Sequence, residues 1–212
     1  MSIRNADSTD PPVDTAAGPG DELGTRVLDA AREEILRQRG RKVSLADVAR
    51  VAGVSRPTVY RRWPDLDAVV RDLCSREINR IVAAVGATTP LRTRTGFAAA
   101  IDQIVRVAGA IRDDELFAEL WRGQPEFLQP YVFDRLGSSQ RSLLRLIATR
   151  IEQGQTDGWV REGDPEKLAA MVLLITQSAV QSRAVVEPIL GEDWSTELHR
   201  ALASYLELPG KE

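Results

Sequence analysis

Apolar positions recur along this chain at the spacing of one helix face rather than in alternation. From Asp21 to Gln38, Leu23, Val27, Ala30/Ala31 and Ile35 fall at i, i+4, i+7/8 and i+12, which predicts one helix. Gly40 ends it. Ser44 opens the next: with Asp47 it resembles a capping box in which Asp replaces the usual Glu, and Val43 can staple to Val48. That helix is short, ending near Ala52, and Gly53 takes the left-handed position that turns the chain. Ser55 caps a third helix, with Pro57 in the first turn, where the N–H it lacks has no helical partner. Trp63-Pro64 stops it, and Asp65 caps a fourth helix running to about Val85.

Further helices are predicted at 91–110, 113–122, 126–155, 164–187 and 193–207. They are separated by the turn-rich stretches GATTP, RGQP, TDGWVREGDP and EPILGED. No segment alternates as a strand would, and no internal repeat is visible. The expected fold class is all-α: an N-terminal three-helix helix-turn-helix head over 21–65, then a connecting helix and helical-bundle body over 66–212. Residues 1–20, rich in Pro, Gly and Asp and without an apolar core, read as a disordered tail.

The longest apolar run, Leu168 to Val180, is shorter than the ~20 residues of a membrane span and contains Thr176, Gln177 and Ser178. It predicts a helix buried on most sides. With no signal peptide in view, the expected address is cytoplasmic. The single cysteine, Cys74, excludes an intrachain disulfide framework and reads as a packing residue. His199, among Leu198, Ala201 and Leu202, reads as an interfacial or surface histidine.

Charge changes the picture. Between Leu36 and Arg62 stand eight Lys/Arg (Arg37, Arg39, Arg41, Lys42, Arg50, Arg56, Arg61 and Arg62) against one acid, Asp47. The whole chain carries −3, so a segment of +7 is attached to a remainder of −10. A solvated helix face usually mixes signs; one-signed charge on so short a segment favours a polyanion partner.

Two short helices joined by a glycine-containing turn form the helix-turn-helix pattern, whose second helix lies in the DNA major groove. The N-terminal residues of that helix are Arg56, Pro57 and Thr58. Arg56 can donate two hydrogen bonds to guanine O6 and N7, worth ~1–3 kcal/mol of discrimination. Tyr60 and the hydroxyls of Ser44 and Thr58 suit phosphate oxygens, and Lys42, Arg61 and Arg62 add charge. Ala49 and Ala52 are small enough for the two helices to approach, while Val48, Val54 and Val59 supply core.

The stretch SLADVARVAGVSRPTVYRRWPDLDAVV is similar to the DNA-binding segment of the TetR (tetracycline-repressor) family of bacterial transcriptional regulators. The matching pieces are DVARVAGVS, PTVYRRW and the capped helix beginning at Asp65, together about a quarter of the chain. The resemblance implies a homodimeric repressor that binds a double-stranded, palindromic DNA operator and is released by a small-molecule effector in the body. It places base contacts on Arg56, Pro57 and Thr58, with Tyr60 as a further groove or phosphate contact. Ala46, on the preceding helix, can at most touch a thymine methyl. Many members carry a phosphate-binding lysine just after the fourth cap; here that residue is Leu66, which shifts phosphate binding onto Arg61, Arg62 or Lys42.

Other classes find little support. There is no Cys/His metal spacing, no H-E-x-x-H or G-x-S-x-G, and no glycine-rich phosphate loop after a strand, so no enzyme, metal or cofactor is expected. A non-specific architectural DNA binder without an inducer is the alternative; it would be expected to lack a large apolar body. The helix at 164–187, apolar almost all round from Leu168 to Ile175, must bury two faces: one can pack on its own subunit and the other on a twin, the alternative being an extra buried helix inside a monomer. The helix at 193–207, with Leu198, Ala201, Leu202 and Tyr205, offers a second stripe for that interface, as the resemblance also implies. Candidate effector-lining residues are Phe97, Ile101, Ile104, Trp121, Phe127 and Tyr131, bulky side chains without a charged cluster, so the expected ligand is largely apolar.

Overall fold

A computed structural model describes residues 22–86, 94–133 and 135–207; the expected tail at 1–20 lies outside them. In chain order the helices are α1 (Glu22–Gln38), α2 (Leu45–Val51), α3 (Arg56–Arg62), α4 (Leu66–Val85), α5 (Arg94–Asp113), α6 (Glu115–Gly123), α7 (Gln129–Phe133), α8 (Ser138–Thr156), α9 (Pro165–Gln181), α10 (Arg183–Leu190) and α11 (Trp194–Leu206). The one departure from helix pairing among the described residues is an isolated antiparallel bridge between Val160 and Glu207. The protein is all-α, and none of the described helices is by itself long and apolar enough to cross a membrane.

The head helices begin and end where their caps stand. Ser44 Oγ accepts the Asp47 N–H at 3.2 Å, and Asp65 Oδ1 accepts the Ala68 N–H at 2.8 Å. The box at Ser44 closes differently from expectation: the Asp47 carboxylate accepts a hydrogen bond from the Ser44 hydroxyl. After α2, the Val54 N–H reaches the Ala49 carbonyl and the Gly53 N–H the Arg50 carbonyl, while Gly53 sits at φ +63°. This pair of bonds needs a left-handed residue at Gly53.

The body departs from the pattern in two places. The single helix expected over 126–155 is broken into a 3₁₀ turn at Pro125–Phe127, then α7 and α8. Gly137 takes extended backbone, and the Gln140 side chain braces the corner by accepting the Gly137 N–H and donating to the Tyr131 carbonyl. The helix expected over 164–187 ends at Gln181, and α10 follows. A continuing helix would give the Ala179 carbonyl to the N–H of residue 183; here the Trp194 indole N–H takes it at 3.2 Å.

Two apolar clusters hold the molecule. One joins α1, α2 and α3 (Val27, Ile35, Val48, Val59) to the first half of α4 (Val69, Val70, Leu73) and to Leu116 and Leu120 of α6, so it runs across position 65/66. The other joins α5, α8, α9 and α11 through Phe97, Ile101, Ile151, Val172, Trp194, Leu198 and Leu202. Leu198 and Leu202 therefore pack within their own subunit, as does fully buried Val172. On α9 and α10 the large apolar side chains turned outward are instead Met171, Leu174, Val185 and Ile189, the last 82% exposed.

Candidate nucleic-acid interface and ligand cavity

The second helix of the motif, α3, is seven residues long with one inward anchor, Val59, wholly buried. Arg56, Pro57, Tyr60, Arg61 and Arg62 are exposed around it, and Thr58 is half-buried. Ser55 Oγ accepts the Thr58 N–H at 3.4 Å and lies 2.7 Å from Thr58 Oγ1, a hydroxyl pair in which either oxygen can donate. On the approach to α2, Lys42 and Ser44 are exposed and Ala46 is half-buried. Trp63 is core, and its indole N–H donates to Asp72 at 2.8 Å. Leu66, where a lysine is common, packs against the head cluster.

The charge of this face is narrower than a count of residues implies. Arg37 is taken by the buried carboxylate of Glu34, which Gln38 also holds at 2.7 Å; the Arg37 hydrogen bonds keep Glu34 below the usual carboxylate range. Arg50 lies 3.7 Å from Asp47. The Arg62 guanidinium stacks 4.7 Å from the Trp63 ring. Lys42, Arg56 and Arg61 pair with no described residue, which leaves their charge for a polyanion. A support that sequence reasoning missed is Arg26 of α1: its guanidinium donates to the carbonyls of Ala52 and Gly53 at 2.9 and 3.3 Å, clamping the turn between α2 and α3.

Behind the head lies a cavity of about 500 Å³ bounded by α4 to α9. This is within the ~300–1,000 Å³ of small-molecule sites. Phe97, Ile101, Ile104, Trp121 and Tyr131 stand in its wall; Phe127 does not, and packs against the head cluster. Other wall residues escaped sequence reasoning: Ile78 and Val82 of α4, Phe117 of α6, and the amides of Gln140 and Gln177. Their periodicity marks them as inward-facing but not as facing a void. Cys74 also borders the cavity, and desolvation pushes its thiol up to about 12, which disfavours the reactive thiolate at neutral pH. His199 lies on the surface, its Nδ1 2.8 Å from Asp102 of α5. Among the described residues no His, Cys, Asp and Glu gather as a metal site.

Cavity and head share structural parts. Leu116 and Leu120 of α6 sit in the head cluster, while Phe117 and Trp121 of the same helix line the cavity. At the end of α6, Gly123 packs directly on Gly40, and the buried Gln124 side chain accepts the Val43 N–H at 3.3 Å. A charge network adds to this. Glu77 of α4, almost wholly buried, meets Arg80 at 2.8 Å, Arg76 at 3.1 Å and Arg32 of α1 at 4.0 Å. Arg80 also reaches Asp114, the cap of α6, at 3.3 Å. Burial pushes the Glu77 carboxyl up, but the hydrogen bonds and positive charges of Arg80 and Arg76 together outweigh it and hold the group below its ordinary value.

Residues 27–73 match the family described as bacterial regulatory proteins, tetR family, a span ending at the last α4 residue of the head cluster. The chain is 41% identical over 186 residues to an uncharacterized HTH-type transcriptional regulator of Mycobacterium bovis, covering 87% of this chain and 95% of that one. Its fold is similar to that of QsdR, a TetR-family transcriptional repressor of R. erythropolis, with a TM-score of 0.61, 17% identity, and 89% and 96% of the two chains covered. It is also similar to RolR, solved in complex with resorcinol, with a TM-score of 0.62, 14% identity and 88% of each chain covered.

Proposed function

From the premise that the chain belongs to the tetR family of bacterial regulatory proteins, and is a DNA-binding transcriptional regulator rather than an enzyme, we propose a homodimeric cytoplasmic repressor whose operator grip is released by a small, largely apolar effector. The observation that carries this reading is the double use of α4 and α6. Each helix has one face in the head cluster and another in the cavity wall. A molecule that prefers a differently shaped cavity must move helices on which the head is packed.

Base contacts are assigned to Arg56, Pro57 and Thr58, the thymine-methyl contact to Ala46, and phosphate contacts to Lys42, Ser44, Tyr60, Arg61 and Arg62. The operator is palindromic because a two-fold dimer presents α3 twice, about 34–36 Å apart or a multiple of it. At 20 residues, α4 spans about 30 Å, so a small tilt at its body end is magnified at the head. The twin subunit covers the outward apolar side chains of α9 and α10, Met171, Leu174, Val185 and Ile189. That a solved neighbour, RolR, holds resorcinol supports a small-molecule effector for this fold.

Selection of bound duplexes from random DNA tests the regulator directly, with a palindrome as the expected product. Equal affinity for every duplex across salt would overturn specific repression in favour of an architectural role. Effector coupling is reciprocal, so effector must bind free protein more tightly than operator-bound protein, by the same factor that it weakens DNA binding. Ile101→Trp, which fills the cavity, is expected to blunt the response while sparing DNA binding without effector.

A further inference from the structure

Within the largely apolar cavity wall, one polar network has a fixed direction. The Gly137 N–H can only donate, and it donates at 2.7 Å to Gln140, which identifies the accepting atom as Oε1. Gln140 Nε2 then spends both protons, one on the Tyr131 carbonyl and one on Gln177 Oε1, each at 2.8 Å. This in turn orients Gln177, whose Nε2 gives one proton to the Tyr131 carbonyl at 3.3 Å. An amide has two N–H donors and two lone pairs on oxygen, so Gln177 keeps one donor and one acceptor site unspent. Neighbouring Thr176 cannot supply a further donor, because its hydroxyl is committed to the Val172 carbonyl at 2.7 Å.

The complement of one unspent donor beside one unspent acceptor is a group that both accepts and donates. A hydroxyl does so. A carboxylate or an ether satisfies the N–H and leaves the Gln177 oxygen facing a lone pair; an ammonium does the reverse. The cationic side chains bordering the cavity do not set a charged head group at this point: Arg71 is exposed, and Arg150 leans on Gln153. We propose that the effector is a neutral, hydroxyl-bearing apolar molecule whose hydroxyl binds Gln177, with its apolar body along Phe97, Ile101, Phe117 and Trp121. This rests on the cavity being the effector site.

The test uses three probes of one chain length, 1-decanol, decyl methyl ether and decanoate, with binding to the full chain measured by calorimetry and operator release measured in parallel. The wild type is expected to hold 1-decanol about tenfold more tightly than the ether, roughly the net worth of one hydrogen bond. Gln177→Leu is expected to erase that preference; Gln177→Met serves the same purpose should the leucine variant fail to fold. Equal binding of alcohol and ether by the wild type, or no binding of any probe, overturns the proposal. So does tightest binding of decanoate that Arg71→Ala abolishes, which would assign the head group to the arginine. Probes that release operator without preferring the alcohol overturn only the hydroxyl match. Probes that bind with the alcohol preference yet leave operator affinity unchanged overturn the effector reading and support the amide–hydroxyl pairing.

Discussion

Gly123→Ala sets two local effects against each other. Alanine is favoured over glycine within a helix by about 1 kcal/mol, and less at the last helical position where Gly123 stands. Against this, a Cβ at Gly123 would fall inside contact distance of the Gly40 Cα, C and O atoms. These are backbone atoms and cannot swing away, so the head must shift. Overpacking of this kind costs about 1–3 kcal/mol. The shift also pulls on the neighbouring bond from the Val43 N–H to Gln124, both buried, whose loss would cost about another 1–3 kcal/mol. The contact therefore wins, with a net loss of about 1–5 kcal/mol, or about 2–20 °C of Tm for a chain of this size. Gly109→Ala is the control, since a Cβ there meets nothing within 4 Å. Thermal unfolding and operator titration of both variants are the assays, and operator affinity should fall for Gly123→Ala alone. If the two variants melted together and bound operator equally, the α6–head contact would not be the coupling element argued above.

Other expectations follow from the same geometry. Arg56→Ala should cost ~1–3 kcal/mol on the preferred site and relax choice at one base pair, whereas Arg61→Ala should weaken binding to all sequences and lower the salt slope by about one; identical profiles in filter binding would contradict the division of roles. Leu174→Glu should yield a folded monomer in sedimentation, because the side chain is outward, while Val172→Glu should unfold the body by burying an unpaired charge; a dimeric Leu174→Glu protein would move the interface elsewhere. Folded Glu77 titrates below its unfolded value, about 4.3, so its contribution is fully present above that pH and disappears as pH falls through the lower folded pKa. Glu77→Gln should therefore be less stable near neutrality and lose less on acidification, and an unchanged acid-unfolding profile would show that the arginine network around α4 carries no net stability. Cys74, raised to about 12, should react with iodoacetamide at neutral pH far more slowly than a free thiol; rapid alkylation of the native protein would refute its desolvated placement.

The head was legible in the sequence because its determinants are local. The caps at Ser44, Ser55 and Asp65 act over three residues, Gly53 turns the chain by its own backbone freedom, and Val48 and Val59 fall at helical spacing. Short-range interactions of this kind are written in consecutive residues, and so is the family pattern that runs through them. The body was less legible, because an apolar stripe says that a face is buried but not against what. Leu198 and Leu202 satisfied the stripe by packing inward, Phe127 by joining the head, and Phe97 and Ile101 by lining a void. The breaks inside 126–155 and 164–187 depend on Gln140 reaching back to Tyr131 and on Trp194 taking the Ala179 carbonyl. Farthest from sequence lies the coupling itself, where Gly40 meets Gly123 and Val43 meets Gln124. Each is a turn residue or a core residue by local rules, and only the packing of α6 against α1 brings these pairs, 81 or more residues apart, into contact.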